Sequence, residues 1–392
     1  MELPDPETLE AEAGEAWDRA IAAAPDGAAV FLVWASRGAP YLGRTESLRR
    51  RLMRLLRPPA GPTKMLNLRE LARRVDYWVV GSRLEGAIYA YLLARRHFPD
   101  AYRSLVKLRM PHYVKLILSN RFPRTQVTAR LAGGRSLYYG PFRTRAAAER
   151  FESEFLDLFQ LRRCQEDLDP SPDHPGCIYG EMNRCLRPCQ QVVGVEEYAS
   201  EAARVARFLE TRGESLLRAV AAARDRLSEE LDFEEAARQH ARWQRVQEVV
   251  RLSNELAGDI DQLNGVAVTA SARGDEVLLW FMLAGGWQQP RRLSLSVASG
   301  RPISLDRRVR ELASQLGPAR LNAAERQEHL ALLARWYYAS RRDGDWIGFP
   351  SLEALPHRRL VNAIHRVHAA RAAAERGGPL LEPPAGIEPA TC

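Results

Sequence analysis

Four of the five cysteines fall within 26 residues, as Cys164-x12-Cys177-x7-Cys185-x3-Cys189, with Pro175 and Pro188 stiffening the loops between them. Four clustered thiols in a chain without a secretion signal are metal ligands more often than disulfide partners. Four thiolates satisfy tetrahedral zinc or a [4Fe–4S] cluster. None of the spacings is the CxxC knuckle of zinc ribbons, which leans towards the cluster, and four unligated buried thiols are the plain alternative. Cys392 stands apart on a Pro- and Gly-rich tail and is not expected to be a ligand.

At 392 residues, with 46% hydrophobic side chains, the chain holds enough apolar material for more than one core. Its longest apolar run, Val277 to Ala284, is strand length, well short of the roughly 18 residues a membrane helix needs. The N-terminus is acidic and lacks a basic-then-apolar signal, so the cytoplasm is the expected address and no membrane is expected as a partner. The formal charge of +8 is unevenly spread: residues 1–30 hold eight acidic side chains and one basic, whereas residues 44–115 hold 17 basic and five acidic, a balance of +12. A basic block of this kind is the electrostatic footprint of nucleic-acid binding, with an Arg-rich solvated surface as the plain alternative. The acidic start reads as an amphipathic helix over 7–24 and as an arm that could shield the basic block.

The run Ala29-Val30-Phe31-Leu32-Val33-Trp34, the turn Arg37-Gly38-Ala39-Pro40 and Tyr41-Leu42 predict a β-hairpin. Thr45 or Ser47 then caps a helix with Leu48, Leu52, Leu55 and Leu56 on one face and Arg49, Arg50, Arg51 and Arg54 on the other. A strand over 75–80 and a helix over 84–97, bearing Arg95 and Arg96, follow. Strands are expected at 113–118, 126–131 and 136–139, a helix at 145–159, and long helices over 196–252 broken near Arg212-Gly213 and Asp232. Strands return at 262–297, then a helix at 306–340. Tyr41, Arg44 and Arg51 form a second constellation suited to phosphodiester cleavage. A phenol can deprotonate a nucleophile and a guanidinium can steady a pentavalent phosphate. A half-buried strand aromatic beside a solvated helix face is the bland reading of the same residues.

Taken together, Ala29-Val30-Phe31, Tyr41-Leu42-Gly43 and Ser47-Leu48-Arg49-Arg50-Arg51-Leu52 resemble the GIY-YIG nuclease motif, specifically the first domain of the UvrC family of nucleotide-excision-repair excinucleases. Tyr139-Gly140-Pro141-Phe142, Phe159 to Cys164 and Arg184-Cys185-Leu186-Arg187-Pro188-Cys189 resemble that family in the same order. The resemblance implies Tyr41 as general base, Arg44 and Arg51 at the phosphate, a [4Fe–4S] cluster on Cys164, Cys177, Cys185 and Cys189, and damaged duplex DNA as partner. Arg49, Arg50, Arg54, Arg95 and Arg96 are the candidate backbone contacts. Leu231 to Ala237 resembles the UVR motif that meets UvrB, which puts Phe233, Glu234 and Ala237 at the partner contact, although His240-Ala241 departs from the family's pattern. An ordinary antiparallel helix pair is the alternative there.

Three departures shape the functional expectation. The first motif tyrosine is Phe31 and a helix tyrosine is Leu55. A gap-free alignment puts Ala90 where the family binds Mg²⁺ or Mn²⁺ through glutamate, with Glu85 about 140° around the helix and Asp76 as another conceivable ligand. No second, RNase-H-like nuclease or paired helix–hairpin–helix is legible in the sequence. The expected architecture is α+β and modular. It comprises an acidic helix at 1–27, a GIY-YIG-like domain at 28–110 and a Cys-rich region at 111–195. A UVR-like helical region at 196–255, a middle α/β domain at 256–345 and a C-terminal helix with a disordered tail at 346–392 complete it. The expected function is either a UvrC-like endonuclease or an inactive DNA- and UvrB-binding paralogue.

Overall fold

The run 29–34 is apolar at every position because its strand is buried on both faces. In the computed structural model, which describes residues 1–11, 15–57, 66–295, 304–317 and 321–375, it forms β2 (Ala29–Ala35) of a four-stranded sheet in the order β1-β4-β2-β3. Phe31 and Val33 face α1 (Glu15–Ala23) and α2 (Leu48–Leu56), whereas Val30 and Leu32 face α3 (Arg83–His97). Gly43 of β3 (Tyr41–Thr45) is required by this packing. It lies opposite Phe31, and a Cβ there would stand 2.2 Å from the ring. Ser47 caps α2 by accepting from the Arg50 amide, and its leucines are the buried face. Short α4 (Tyr102–Leu105) closes the domain.

The acidic N-terminus departs from the expected helix over 7–24. Glu7–Glu10 is β1, antiparallel to β4 (Ala72–Val79), and among the described residues of this stretch the helix is Glu15–Ala23. Tertiary pairing overrides local propensity because β4 would otherwise present an open edge. The Tyr77 hydroxyl donates to Glu7 at 2.6 Å and Thr8 to Asp76 at 3.1 Å. Glu7–Glu10 therefore belongs to the sheet rather than to a free arm.

A second sheet, β6-β5-β7-β8, is made by β5 (His112–Ile117), β6 (Arg124–Thr128), β7 (Ser136–Phe142) and β8 (Gly258–Asp259). On it sit α5 (Arg145–Leu156), the cysteine loop with α6 (Ile178–Glu181), and α7 (Val195–Glu210), around an aromatic core of Phe151, Phe155, Phe159 and Phe208. Next, α8 (Glu214–Glu229) and α9 (Phe233–Leu252) form an antiparallel hairpin. Its base is buried through Leu216, Val220, Val246 and Val249, while its tip carries Leu231 at 72% and Phe233 at 64% exposure.

The third sheet contains β9 (Asn264–Ala270), β10 (Glu276–Leu283), β11 (Gly286–Trp287), β12 (Arg291–Ser294) and β13 (Asp345–Phe349). The single helix expected over 306–340 is two, α10 (Leu305–Ala313) and α11 (Ala323–Tyr337). The domain also runs past 345: β13 pairs with β9, and α12 (His357–Glu375) packs on Val266, Val268 and Ile347. The remainder of the expected tail, and Cys392, lie outside the described residues.

One core crosses the boundaries between these sheets. Val30 and Tyr91 from the first, Tyr113 and Tyr138 from the second, and Trp280, Leu330 and Trp346 from the third share a single buried cluster. A buried carboxylate, Glu328 on α11, receives Tyr91 Oη at 2.6 Å, Tyr102 Oη at 2.5 Å and Arg103 Nε at 2.7 Å. At Gly81 the first domain touches the Ser271 backbone so closely that a Cβ would lie 2.2 Å from it. Among the described residues no helix is long and apolar enough to cross a membrane.

Candidate nucleic-acid interface and cysteine cluster

Strand β3 ends beside the start of α2, and that geometry brings two of the singled-out residues together: Arg51 Nη2 donates to Tyr41 Oη at 2.9 Å. Phe31 stands next to them, its ring centroid 6.2 Å from that of Tyr41. Arg44, three positions along the strand, falls on the other side of the sheet because side chains alternate. There its aliphatic stem passes over Gly86 of α3. Partial desolvation and the Arg335 and Arg83 cations hold its guanidinium below the ordinary arginine value, with Glu46 and Asp343 acting the other way. Sequence distance hides this neighbourhood: no local signal links Arg44 to Arg335.

The carboxylates considered as metal ligands are committed elsewhere. Ala90 is partly buried against the shared core. Glu85 is 2% exposed and accepts from the Gly81 amide at 2.7 Å. Its own amide donates to the Ser82 hydroxyl at 3.1 Å, so this residue belongs to the N-terminal cap of α3. Burial pushes the Glu85 carboxyl up to about 7, outweighing the Gly81 amide and the Tyr89 hydroxyl, which favour the charged form. Asp76 accepts from Trp34 Nε1 at 2.7 Å and from Thr8, and pairs with Arg74 at 3.1 Å. Among the described residues neither Tyr41 nor Arg51 is hydrogen-bonded or ion-paired to a carboxylate. The residues present do not fit a carboxylate-held Mg²⁺ beside the Tyr41–Arg51 pair.

The arginines expected at a nucleic-acid backbone separate into two groups. Arg50 and Arg54 are exposed on α2, and Arg49 is half-buried, its Nε donating to the Ala24 carbonyl at 2.9 Å. Arg95 is instead tied to Glu325 and to Tyr91 Oη, which raises its guanidinium above the ordinary value and binds α3 to α11. Arg96 is exposed on the same helix.

The four cysteines come from separate turns of one loop. Cys177 precedes α6, Cys185 and Cys189 are buried at 6% and 7% exposure, and Cys164 is half-buried. Burial pushes the Cys185 thiol up to about 11, and Cys164, Cys177 and Cys189 all act on it electrostatically in the same direction. The Arg187 amide donates to Cys185 Sγ at 3.4 Å and Arg162 Nη1 to Cys164 Sγ at 3.5 Å. Arg162, only 2% exposed, also donates to the carbonyls of Phe122 at 3.0 Å and Glu166 at 2.8 Å, anchoring the loop to the second sheet. The run Leu161-Arg162-Arg163-Cys164 was the one sequence hint of this anchor. Among the described residues no three His, Cys, Asp or Glu side chains converge as a single-ion site. Tetrahedral zinc would need sulfurs about 3.8 Å apart.

At the hairpin tip, Phe233, Glu234 and Ala237 are the residues expected at a partner; Phe233 and Glu234 stand exposed, and so does Ala237 one turn further along α9. Asp232 caps α9 by accepting from the Glu235 amide at 3.2 Å, which holds the tip as a defined turn.

This is a mixed α/β protein of three sheets joined through a shared core, with an exposed helical hairpin and a four-cysteine loop. Residues 112–208 match the family model for the UvrC/Cho excinuclease middle domain, a span that includes all four cysteines. The chain is 26% identical over 266 residues to the UvrABC system protein C of Moorella thermoacetica, covering 68% of this chain and 43% of that protein. It is 25% identical over 248 residues to the same-named protein of Dehalococcoides mccartyi, covering 62% and 41%. Against that of Carboxydothermus hydrogenoformans it is 27% identical over 216 residues, covering 55% and 35%. The chain is thus similar to UvrABC system protein C over about two thirds of its own length at most, and it spans less than half the length of these relatives. No solved structure matches it significantly.

Proposed function

We propose that this chain serves nucleotide-excision repair as a DNA- and partner-binding protein, its GIY-YIG-like first domain holding the DNA backbone without hydrolysing it. The observation that carries this reading is the fate of the carboxylates. The Tyr41–Arg51 pair is intact, yet position 90 is alanine, Glu85 caps α3 and Asp76 is held by Thr8, Trp34 and Arg74. Without a metal-bound charge clamp, in-line phosphodiester hydrolysis loses several kcal/mol of transition-state stabilisation. The exposed Arg50 and Arg54 then supply sequence-independent phosphate contacts.

The tip of the α8–α9 hairpin, with Leu231 and Phe233 in solvent, is the surface for a UvrB-like partner. Cys164, Cys177, Cys185 and Cys189 would hold a [4Fe–4S] cluster, since four thiolates from one loop, none in a CxxC knuckle, match the ligand set of such a cluster. The amide and guanidinium donors to Cys185 and Cys164 suit thiolate ligands. The cluster's contribution is redox-active iron and a staple across the loop.

Nicking of a damaged duplex with Mg²⁺ or Mn²⁺, with and without UvrB, tests the reading. Binding without nicking is expected. The 2.9 Å Tyr41–Arg51 contact favours a second reading, an active endonuclease. Nicking that disappears in Tyr41→Phe and Arg51→Ala would establish it and overturn ours.

A further inference from the structure

Between the segment leading into β5 and the side of α11 lies a cleft of about 350 Å³ whose lining contains Lys107, Arg109, Arg143 and Arg335 but no carboxylate. Lys107, Arg109 and Arg143 are exposed, and among the described residues none of the four is in a salt bridge. The cleft wall is firmly held. Arg335 Nη1 donates to the Val106 carbonyl at 2.8 Å, and the Tyr338 hydroxyl donates to the Pro141 carbonyl at 2.7 Å while accepting from Asn254 Nδ2 at 2.7 Å. Residues from all three sheet domains meet here, and four like charges are kept together without counter-charges. All four are exposed, so solvent screens their mutual repulsion while leaving them open to a polyanion. Towards the first domain Arg335 also acts electrostatically on Arg44, where Arg83 is ion-paired with Glu46.

We propose that this cleft is a second phosphate-backbone site for duplex DNA, a groove outside the α2 face that carries the strand past β3. The proposal rests on the DNA-binding reading above. It assigns binding to Lys107, Arg109 and Arg143, which no local motif distinguishes, with Arg335 as a preset member. The backbone is the fitting chemistry because four cations lining one cleft with no carboxylate among them offer charge to successive phosphates.

The test uses the full chain, a short fluorescent duplex and anisotropy between about 50 and 200 mM salt. The triple variant Lys107→Gln, Arg109→Gln, Arg143→Gln changes exposed side chains, so its melting temperature should match that of the unaltered chain. Its affinity should fall roughly tenfold to a hundredfold, and its salt slope should shrink by about two to three. Arg143→Gln alone should cost roughly fivefold, which keeps the test open if the triple variant folds poorly. A parallel variant, Arg50→Gln with Arg54→Gln, separates the two faces. Unchanged affinity and slope in the cleft variants, with the α2 variant weakened, overturns the cleft and leaves the DNA reading standing. Failure of the unaltered chain to bind duplex overturns both. Equal loss of binding to single strands and free pyrophosphate would mark a general anion site and overturn the duplex assignment.

Discussion

The α8–α9 hairpin and the Glu328 junction are built by opposite rules. The hairpin pairs two helices adjacent in sequence, capped by Asp232, with an apolar tip left in water. The junction pairs Tyr91, Tyr102 and Arg103 with a carboxylate more than 200 residues away, buried to 1% exposure. Burial makes the junction a source of stability that function need not touch. Exposure makes the tip nearly neutral for stability and available for recognition.

The sharpest way to break this contrast is to remove the junction's acceptor. Glu328→Ala leaves two tyrosine hydroxyls without their shared carboxylate and should cost about 3 kcal/mol in urea unfolding. A loss below about 1 kcal/mol would show that the domains do not depend on it. A second probe of the same interface is pH. Glu85 is raised to about 7 in the folded protein, so between about 4.5 and 7 the unfolded chain releases a proton that the native state keeps, and stability from this group falls as pH rises. The fall amounts to up to about 3 kcal/mol. His329, buried and depressed to about 4, acts with the opposite sign between about 4 and 6.5, where only the unfolded state is protonated. The two largely offset each other in the native protein. Glu85→Gln should therefore expose a stability that climbs with pH, and a flat profile in that variant would refute the assignment.

Cys185→Ser is expected to abolish iron-dependent absorbance near ~400 nm in anaerobically purified protein while the sheets persist by circular dichroism. Stoichiometric zinc without iron would rule out the cluster. The smallest stability effect is expected at the tip. Phe233→Ser should move the unfolding free energy by less than about 0.5 kcal/mol, yet weaken capture of a UvrB-type partner at least tenfold by calorimetry. Unchanged partner affinity would reduce the hairpin to scaffolding.

Most elements were legible where the cause was local. Leucine spacing with Ser47 announced α2, the all-apolar run announced β2, and the breaks at Gly213 and Asp232 separated α7, α8 and α9. Errors fell where pairing across the chain decided the outcome. Glu7–Glu10 became a strand because β4 had an open edge, and β13 joined β9 from beyond the expected domain end. The candidate site divides along the same line. The ten-residue interval between Tyr41 and Arg51 is bridged by one strand end and one helix turn, so their contact could be anticipated. The action of Arg335 on Arg44 and the engagement of Arg95 by Glu325 could not, since both depend on α11.

By itself the sequence determined the cysteine spacing, the basic block, the alanine at position 90 and the helical hairpin, because residue identity and short-range periodicity suffice for each. Only the tertiary structure decided which charges stand unopposed and which are neutralised. Coulomb and desolvation energies depend on distances through space, and here the decisive partners, Glu325, Glu328 and Arg335, lie more than 200 residues from the groups they act upon.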